Sequence, residues 1–234
     1  MRAMILAAGR GERMRPLTDH TPKPLLPVGG RPLIVWHLQR LARAGIREVV
    51  INHAHLGAQL QAALGTGAAW GVSIAWSAEI QALETAGGIA QALPLLGDRS
   101  FLVINGDVWC DFDLGRAPGI AQQMDAGDLD AWCVLVDNPA HHPGGDFGLD
   151  CGRLLDRQDG PKLTFSGIGV YRPALFDGIA AGTRAPLAPL LRAAAARGRA
   201  GAERHLGRWT DVGTPERLAQ LDTELEQETS DAAP

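Results

Sequence analysis

The first 110 residues alternate short apolar runs with segments whose apolar residues recur at helical spacing. The predicted strands are 3–8, 47–54, 71–77 and 101–107, and the predicted helices are 32–45, 56–65 and 85–97. Strands that alternate with helices at this spacing indicate βαβ units and a parallel sheet. We therefore predict an α/β fold with a Rossmann-like, mostly parallel mixed sheet flanked by helices.

After about residue 110 the pattern changes to strands with little helix between them. Strands are predicted at 131–137, 146–151 and 162–172, and helices return at 186–198 and 214–228. We interpret this half as a small β-rich lobe added to the first sheet. Because no linker interrupts the chain, we predict a single domain over residues 1–228. It divides into halves 1–110 and 111–228, and a disordered tail follows at 229–234.

Composition excludes several classes of protein. The formal net charge is −4, from 22 basic and 26 acidic residues, which argues against a nucleic-acid binder. We find no signal peptide and no apolar run long enough to cross a membrane, so we expect a cytoplasmic protein. Cys110, Cys133 and Cys151 form no CxxC pair, which is typical of neither a disulfide framework nor a zinc site.

A glycine-rich loop follows the first predicted strand, with Gly9, Gly11 and Arg13 in close succession. The Rossmann fingerprint requires a third glycine where this chain has Met14, and the Gly-Lys-Ser/Thr of a Walker A loop is absent. What remains is a short turn whose N–H groups can face an anion, with Arg13 placed to pair with it. The alternative is a tight turn that carries solvated arginines.

Lys23 lies between Pro22 and Pro24. Proline fixes φ and removes a backbone donor, so this segment is expected to be stiff and extended. A lysine held in this way is a directed point charge. The alternative, an ordinary solvated lysine, is less consistent with the neighbouring glycine loop.

These segments together resemble the signature of the sugar-1-phosphate nucleotidyltransferases. The resemblance covers most of the chain and is carried by residues 9–18, 22–24, 84–88, 105–107 and 209–214. It implies a metal-dependent enzyme that joins a nucleoside triphosphate to a sugar 1-phosphate and releases pyrophosphate. In that family the glycine loop binds the β- and γ-phosphates of the triphosphate.

The resemblance also implies roles for individual residues. The catalytic residues would be Arg13, Lys23, Asp107 and Asp211, and the nucleotide would contact Ala8, Gly9, Gly11, Glu12, Arg13, Lys23, Glu84, Thr85, Gly87 and Gly88. Asp107 and Asp211 would bind Mg²⁺, with phosphate oxygens and water as further ligands. The alternatives are a turn carboxylate for Asp107, a helix-entry charge for Asp211, and helix packing for the two glycines.

On the sugar side the chain departs from the family pattern. The expected sugar-phosphate contacts are Asn105, Asp146, Gly148, Ser166 and Gly167. Many relatives carry a Glu-Lys-Pro motif whose lysine grips the sugar phosphate, and residues 151–167 contain no such motif. Lys162 and Arg153 are possible replacements, although neither matches the motif. Arg157, His141 and His142 lie near the same gap and could face a carboxylate of the sugar.

Substrate choice follows from resemblance alone. Residues 135–147 and the missing motif favour UTP and N-acetylmuramic acid 1-phosphate, in cell-wall sugar recycling. Transfer from GTP to mannose 1-phosphate is the alternative within the family. A binding subunit without catalysis is the alternative outside it, and retention of the four catalytic positions argues against it. We expect a monomer or a small homo-oligomer.

Overall fold

The computed structural model of the protein describes residues 1–231, with side chains up to residue 227. Within that range the strands are β1 Ala3–Leu6, β2 Pro27–Val28, β3 Arg31–Pro32, β4 Glu48–His53, β5 Ser73–Ala78, β6 Phe101–Asn105, β7 Val108–Cys110, β8 Ala131–Val136, β9 Gly148–Asp150, β10 Arg153–Leu155, β11 Thr164–Tyr171, β12 Ala200–Arg204 and β13 Trp209–Asp211. The helices are α1 Leu33–Arg43, α2 Gly57–Leu64, α3 Glu84–Leu96, α4 Ala117–Ala126, α5 Ala188–Ala196 and α6 Pro215–Asp231.

One large sheet runs through both halves of the described chain. Its strand order is β5-β4-β1-β6-β11-β8-β12-β10-β9, and β10 and β11 run against the others. The strands after residue 110 therefore extend the first sheet, because β11 pairs with β6. The predicted α/β fold, with a Rossmann-like, mostly parallel mixed sheet and flanking helices, is confirmed.

Two local expectations were wrong. The helix α4 lies in a segment where we expected little helix, because Pro118 and Gly119 near its start conceal the pattern. Proline in the first turn is compatible with a helix, since the N–H group there lacks an intrahelical partner. The backbone of α6 also continues through residues 229–231, which we expected to be disordered. Residues 232–234 lie outside the described residues.

Apolar side chains of alternate strand residues pack on opposite faces of the sheet. Ile5 and Ile51 point to the face that α1, α2 and α4 cover. Met4 and Val50 point to the other face, which α3 and α5 cover. Because both faces are covered, the central strands are continuous apolar runs, which is why the sequence pattern identified them.

A third cluster attaches α6 to the segment that follows β1. Leu218, Leu221 and Leu225 on α6 pack with Met14 and Trp109. This packing holds the glycine loop and the chain after β6 near the amino end of α6. No helix within residues 1–231 is long and apolar enough to span a membrane.

His37 on α1 is a buried ionisable group close to the turn that follows β6, and only 1% of its surface is exposed. Burial lowers the pKa of its imidazole to about 4, and repulsion from Arg40 adds to this effect. The nearby Asp107 opposes the shift. His37 therefore remains neutral in the folded protein at pH values where the unfolded imidazole takes up a proton.

We expect this histidine to make the fold sensitive to acid. Its pKa is lower in the folded than in the unfolded protein, so its stability contribution is complete above pH 6.5 and is lost as the pH falls towards 4. Between pH 7.5 and pH 5 the wild-type free energy of unfolding should fall by about 2 kcal/mol more than that of His37→Leu. Urea unfolding at both pH values measures this difference, and His55→Leu, at an exposed position, controls for the loss of one histidine. Equal pH dependence in wild type and His37→Leu would contradict the assignment.

Candidate active site

Two neighbouring cavities lie where β1, β5 and β6 end. The larger cavity, of about 540 Å³, is lined by the loop after β1, the segment around Lys23 and the turn between β5 and α3. The smaller cavity, of about 350 Å³, is lined mainly by residues of the second half of the chain. Arg13, Asn105 and Asp107 line both cavities, so the two spaces meet at these side chains.

The glycine loop occupies the wall of the larger cavity. Gly11 has a φ of +66°, in the left-handed region that favours glycine, and a short 3-10 turn follows at Glu12–Met14. Thr18 Oγ1 donates a 2.8 Å hydrogen bond to the carbonyl oxygen of Gly11 and fixes the loop. Met14 is completely buried and anchors it, whereas Arg13 remains exposed. Ala8, Gly9, Gly11, Glu12 and Arg13 all line the cavity, as expected.

The proline-bounded segment forms a short 3-10 turn over Lys23–Leu25 and is not extended as expected, because Pro22 and Pro24 both permit the turn. Lys23 reaches from it to the end of β6. Its side chain is 9% exposed, and its Nζ atom lies 2.7 Å from Asp107 Oδ2. A buried ammonium group is costly unless it is paired, and Asp107 provides the compensating charge. The lysine is therefore a directed cation inside the cavity.

Asp107 and Asp211 are brought together by a short two-stranded sheet. The strands β7 and β13 pair antiparallel, with Asp211 opposite Val108. The backbone N–H of Val212 donates a 2.8 Å hydrogen bond to the carbonyl oxygen of Asp107. Both carboxylates line the smaller cavity.

Each aspartate already has a cationic or polar partner. Asp211 Oδ1 accepts a 2.8 Å hydrogen bond from Arg217 Nη1, and His141 Nε2 lies 2.9 Å from the same oxygen. Asp107 is paired with Lys23. Two carboxylates beside one cavity, surrounded by cations, form an environment suited to phosphate groups and to a hard divalent cation.

Glu84 and Thr85 line the larger cavity at the start of α3, but Gly87 and Gly88 do not. The N–H of Gly87 donates to the carbonyl oxygen of Ala185, and a Cβ there would lie 2.2 Å from the Thr183 oxygen. A Cβ on Gly88 would lie 2.7 Å from Glu79 Oε1. Close packing of the helix, the alternative that the sequence left open, therefore requires glycine at these two positions, and their contact with a nucleotide stays a prediction.

Some of the predicted sugar-phosphate residues line a cavity, and others do not. Asn105 lines both cavities and Ser166 lines the smaller one. Gly167, with a φ of +82°, lies against the Asn105 side chain, since a Cβ there would be 2.7 Å from Asn105 Nδ2.

Asp146 and Gly148 are not among the residues that line either cavity. Asp146 Oδ2 accepts a 2.8 Å hydrogen bond from the Phe165 N–H, so this carboxylate holds the β11 strand. Gly148 makes room for the Arg157 side chain, which a Cβ there would approach to 2.6 Å. Both residues therefore support the fold near the smaller cavity.

Sequence reasoning missed several lining residues. Asn52 and Glu79 line the larger cavity, and neither lies in a motif that the sequence made visible. Trp209 lines the smaller cavity, and the sequence had matched its segment without giving it a role. Trp209 Nε1 donates a 2.8 Å hydrogen bond to the carbonyl oxygen of Ser166, which joins β13 to β11.

The buried cysteines lie outside the two cavities. Burial raises the pKa of Cys110 to about 11 and that of Cys133 to about 12, so both thiols remain protonated near neutral pH. The sulfur of Cys110 lies within 4.8 Å of ligand atoms of Asp111 and His205. His205 Nε2 and Asp111 Oδ1 already pair with each other at 2.6 Å.

Comparisons with known proteins agree with this geometry. Residues 2–149 match the family model described as "Nucleotidyl transferase". The chain is 56% identical over 223 residues to an N-acetylmuramate alpha-1-phosphate uridylyltransferase of Neisseria meningitidis, covering 94% of this chain and 96% of the relative. It is 33% identical over 226 residues to the enzyme of the same name from Caulobacter vibrioides, covering 92% of each chain.

A solved structure shows the same fold. The crystal structure of a putative glucose-1-phosphate thymidylyltransferase from Bacillus anthracis superposes with a TM-score of 0.83, over 97% of this chain and 95% of the other, at 24% identity. Likeness at that identity concerns the fold alone, whereas the family model and the two relatives concern the sequence that builds the site. The chain belongs to the nucleotidyl transferase family.

Proposed function

We propose that the protein is a Mg²⁺-dependent uridylyltransferase that converts UTP and N-acetylmuramic acid 1-phosphate to a nucleotide sugar and pyrophosphate. The observation that carries this proposal is the meeting of two cavities at Arg13, Asn105 and Asp107. The two relatives named N-acetylmuramate alpha-1-phosphate uridylyltransferase support the choice of substrates. The expected role in cell-wall sugar recycling follows from those substrates.

The larger cavity would hold the triphosphate and the smaller one the sugar phosphate. Apart from Gly213, the residues that line the larger cavity all belong to residues 1–110. Most of those that line the smaller cavity follow residue 110. This distribution supports the proposed single domain with a nucleotide-binding half and a sugar-binding half.

The proposed reaction needs alignment and charge neutralisation more than proton transfer. A phosphate oxygen of the sugar 1-phosphate forms a bond to the α-phosphorus, and the bond from that phosphorus to the bridging oxygen of pyrophosphate breaks. Pyrophosphate leaves with the electron pair. Since the nucleophile is already an anion, no strong general base is required.

Lys23 and Arg13 are placed to serve this reaction. Lys23 is buried and held beside Asp107, so its charge faces the junction of the two cavities. We assign it to the charge that develops at the α-phosphate. Arg13 is exposed on the walls of both cavities, and we assign it, with the N–H groups of the glycine loop, to the departing pyrophosphate.

Asp107 and Asp211 would hold Mg²⁺, with phosphate oxygens and water as the other ligands. The fit rests on two carboxylates that line one cavity and offer the oxygen ligands that such an ion prefers. When bound, the ion would neutralise phosphate charge and orient the two substrates.

The proposed sugar cavity lacks the Glu-Lys-Pro lysine that binds the sugar phosphate in many relatives, and polar groups line it instead. His141, His142 and Ser166 line the smaller cavity. Of the residues that the sequence offered for the sugar's anionic groups, Arg153 donates to the Gly198 carbonyl oxygen, and neither it nor Lys162 lines a cavity. The two histidines therefore remain our candidates for binding the carboxylate of the lactyl group of N-acetylmuramic acid. A cytoplasmic location and a monomer or small homo-oligomer remain predictions.

Asp107→Asn and Asp211→Asn should each remove most turnover while the fold remains intact. Each loses a carboxylate at the proposed metal site, which should cost about 3 kcal/mol of barrier, or roughly a hundredfold in kcat. The measurement is pyrophosphate release at saturating Mg²⁺, with circular dichroism to verify folding. Asp98→Asn, at an exposed turn before β6 at the opposite edge of the sheet, is the matched control. Near-wild-type rates in either active-site variant would refute the metal assignment.

Lys23→Ala should lower kcat by about 100-fold and raise KM for the triphosphate by less than about 10-fold. The reason is that its charge matters most as the α-phosphorus becomes five-coordinate. Steady-state kinetics separate the two parameters, and Lys162→Ala provides a control at a lysine that lines neither cavity. If KM alone changed, Lys23 would be a binding residue only.

UTP with N-acetylmuramic acid 1-phosphate should be preferred over GTP with mannose 1-phosphate. The muramic acid substrate is bulkier and carries an additional carboxylate, which suits a polar cavity without the glutamate of the missing motif. The measurement is kcat/KM for both substrate pairs under the same conditions. A preference for the GTP pair would reject the muramic acid assignment and leave nucleotidyl transfer in place. Binding without pyrophosphate release from any pair would instead identify a non-catalytic subunit.

A further inference from the structure

A chain of three hydrogen bonds connects the two walls of the larger cavity. The N–H of Ala7, the first residue after β1, donates to Asn52 Oδ1 at 2.8 Å. Asn52 Nδ2, near the end of β4, donates to Glu79 Oε1 at 2.6 Å. The N–H of Leu83 donates to Glu79 Oε2 at 2.9 Å. The chain therefore runs from the glycine loop to the turn before α3.

The network is buried and closely packed. Asn52 is 2% exposed and Glu79 is 6% exposed, so both side chains depend on these partners for their hydrogen bonds. A Cβ on Gly88 would lie 2.7 Å from Glu79 Oε1 and 2.8 Å from Asn52 Nδ2. Glycine at this position of α3 thus leaves the space that the network occupies.

The network is one of several contacts that hold this turn, since the Ala185 N–H also donates to the Leu83 carbonyl oxygen and Arg184 pairs with Glu84. Ile80, at its tip, is fully exposed and packs against nothing. Glu84, at its end, has a φ of +61°, a conformation that side-chain-bearing residues adopt only when their surroundings impose it. The bond from Leu83 to Glu79 lies directly beside this residue. Glu79 therefore helps to fix the backbone that presents Glu84 and Thr85 to the cavity.

We propose that Asn52 and Glu79 are positioning residues that set the distance between the glycine loop and the turn over residues 79–84. This inference rests on the proposed function, because it assigns the larger cavity to the nucleotide. The network tethers both walls of that cavity, and none of its three hydrogen bonds involves Lys23 or Arg13, which we assign to the phosphates. Its loss should therefore weaken nucleotide binding more than it slows the chemical step.

Exchanging the carboxylate of Glu79 and the amide of Asn52 between the two positions tests this proposal. In Glu79→Gln, Asn52 Nδ2 and the Leu83 N–H compete for one acceptor oxygen. In Asn52→Asp, two carboxylates face each other in a buried space. In the double variant, the carboxylate at position 52 accepts from Ala7 and from the amide at position 79, whose oxygen accepts from Leu83. All three links and the single buried charge are thereby restored.

We expect each single variant to raise KM for UTP by about 10-fold or more, with kcat changed by less than about threefold. The double variant should return KM to within about threefold of wild type. If UTP is not turned over, the same comparison uses whichever triphosphate the enzyme accepts, so failure of the substrate assignment remains distinguishable. A loss of kcat at constant KM in the single variants would overturn the positioning role.

Hydrogen exchange of the ligand-free protein provides a readout that is independent of the substrate. Amide exchange in peptides containing Ala7 and Leu83 should accelerate in each single variant and recover in the double variant. If amide exchange or KM did not return towards the wild-type value in the double variant, the proposed chain of hydrogen bonds would be refuted. Faster exchange in the single variants with unchanged KM would show a purely structural network and would also reject the proposal. Circular dichroism verifies that all three variants are folded.

Discussion

The ion pair between Lys23 and Asp107 connects the parts of the protein that the site requires. A lysine with a 9% exposed side chain needs a partner, and the 2.7 Å contact with Asp107 provides one. The pair joins the stiff segment after the glycine loop to the end of β6. Since Asp107 also lines the smaller cavity, the same contact couples the proposed nucleotide space to the proposed sugar space.

The architecture makes this contact possible because strands that run in one direction end at one edge of the sheet. Loops that follow β1, β5 and β6 therefore converge, and open α/β sheets bind ligands at such edges. The second half of the chain reaches the same edge through the short pairing of β7 with β13. That pairing sets Asp211 next to Asp107, and Arg217 then holds the Asp211 carboxylate.

Asn52 and Glu79 line the larger cavity, and their side chains make hydrogen bonds to each other and to the backbone on either side of it. The Asn52–Glu79 pair and the two glycines of α3 act on the shape of the walls. Gly87 and Gly88 pack closely against neighbouring backbone and side chains, and their contact with a nucleotide remains a prediction. A resemblance marks positions that matter, but packing decides whether a given position touches the ligand or supports the residue that does.

The sequence by itself predicted the α/β class from apolar periodicity and the glycine loop from its backbone freedom, and resemblance to the family added roles for Lys23 and the two aspartates. The helix α4 was not predicted, because Pro118 and Gly119 near its start interrupt the helical pattern. The sequence did not reveal that Asp146 accepts a hydrogen bond from the Phe165 N–H or that Gly148 makes room for Arg157. Tertiary structure alone decided that Asn52 meets Glu79 and that β13 pairs with β7, which places Asp211 opposite Val108. These contacts join residues far apart in the chain, and strand order and register create them, which no local pattern encodes.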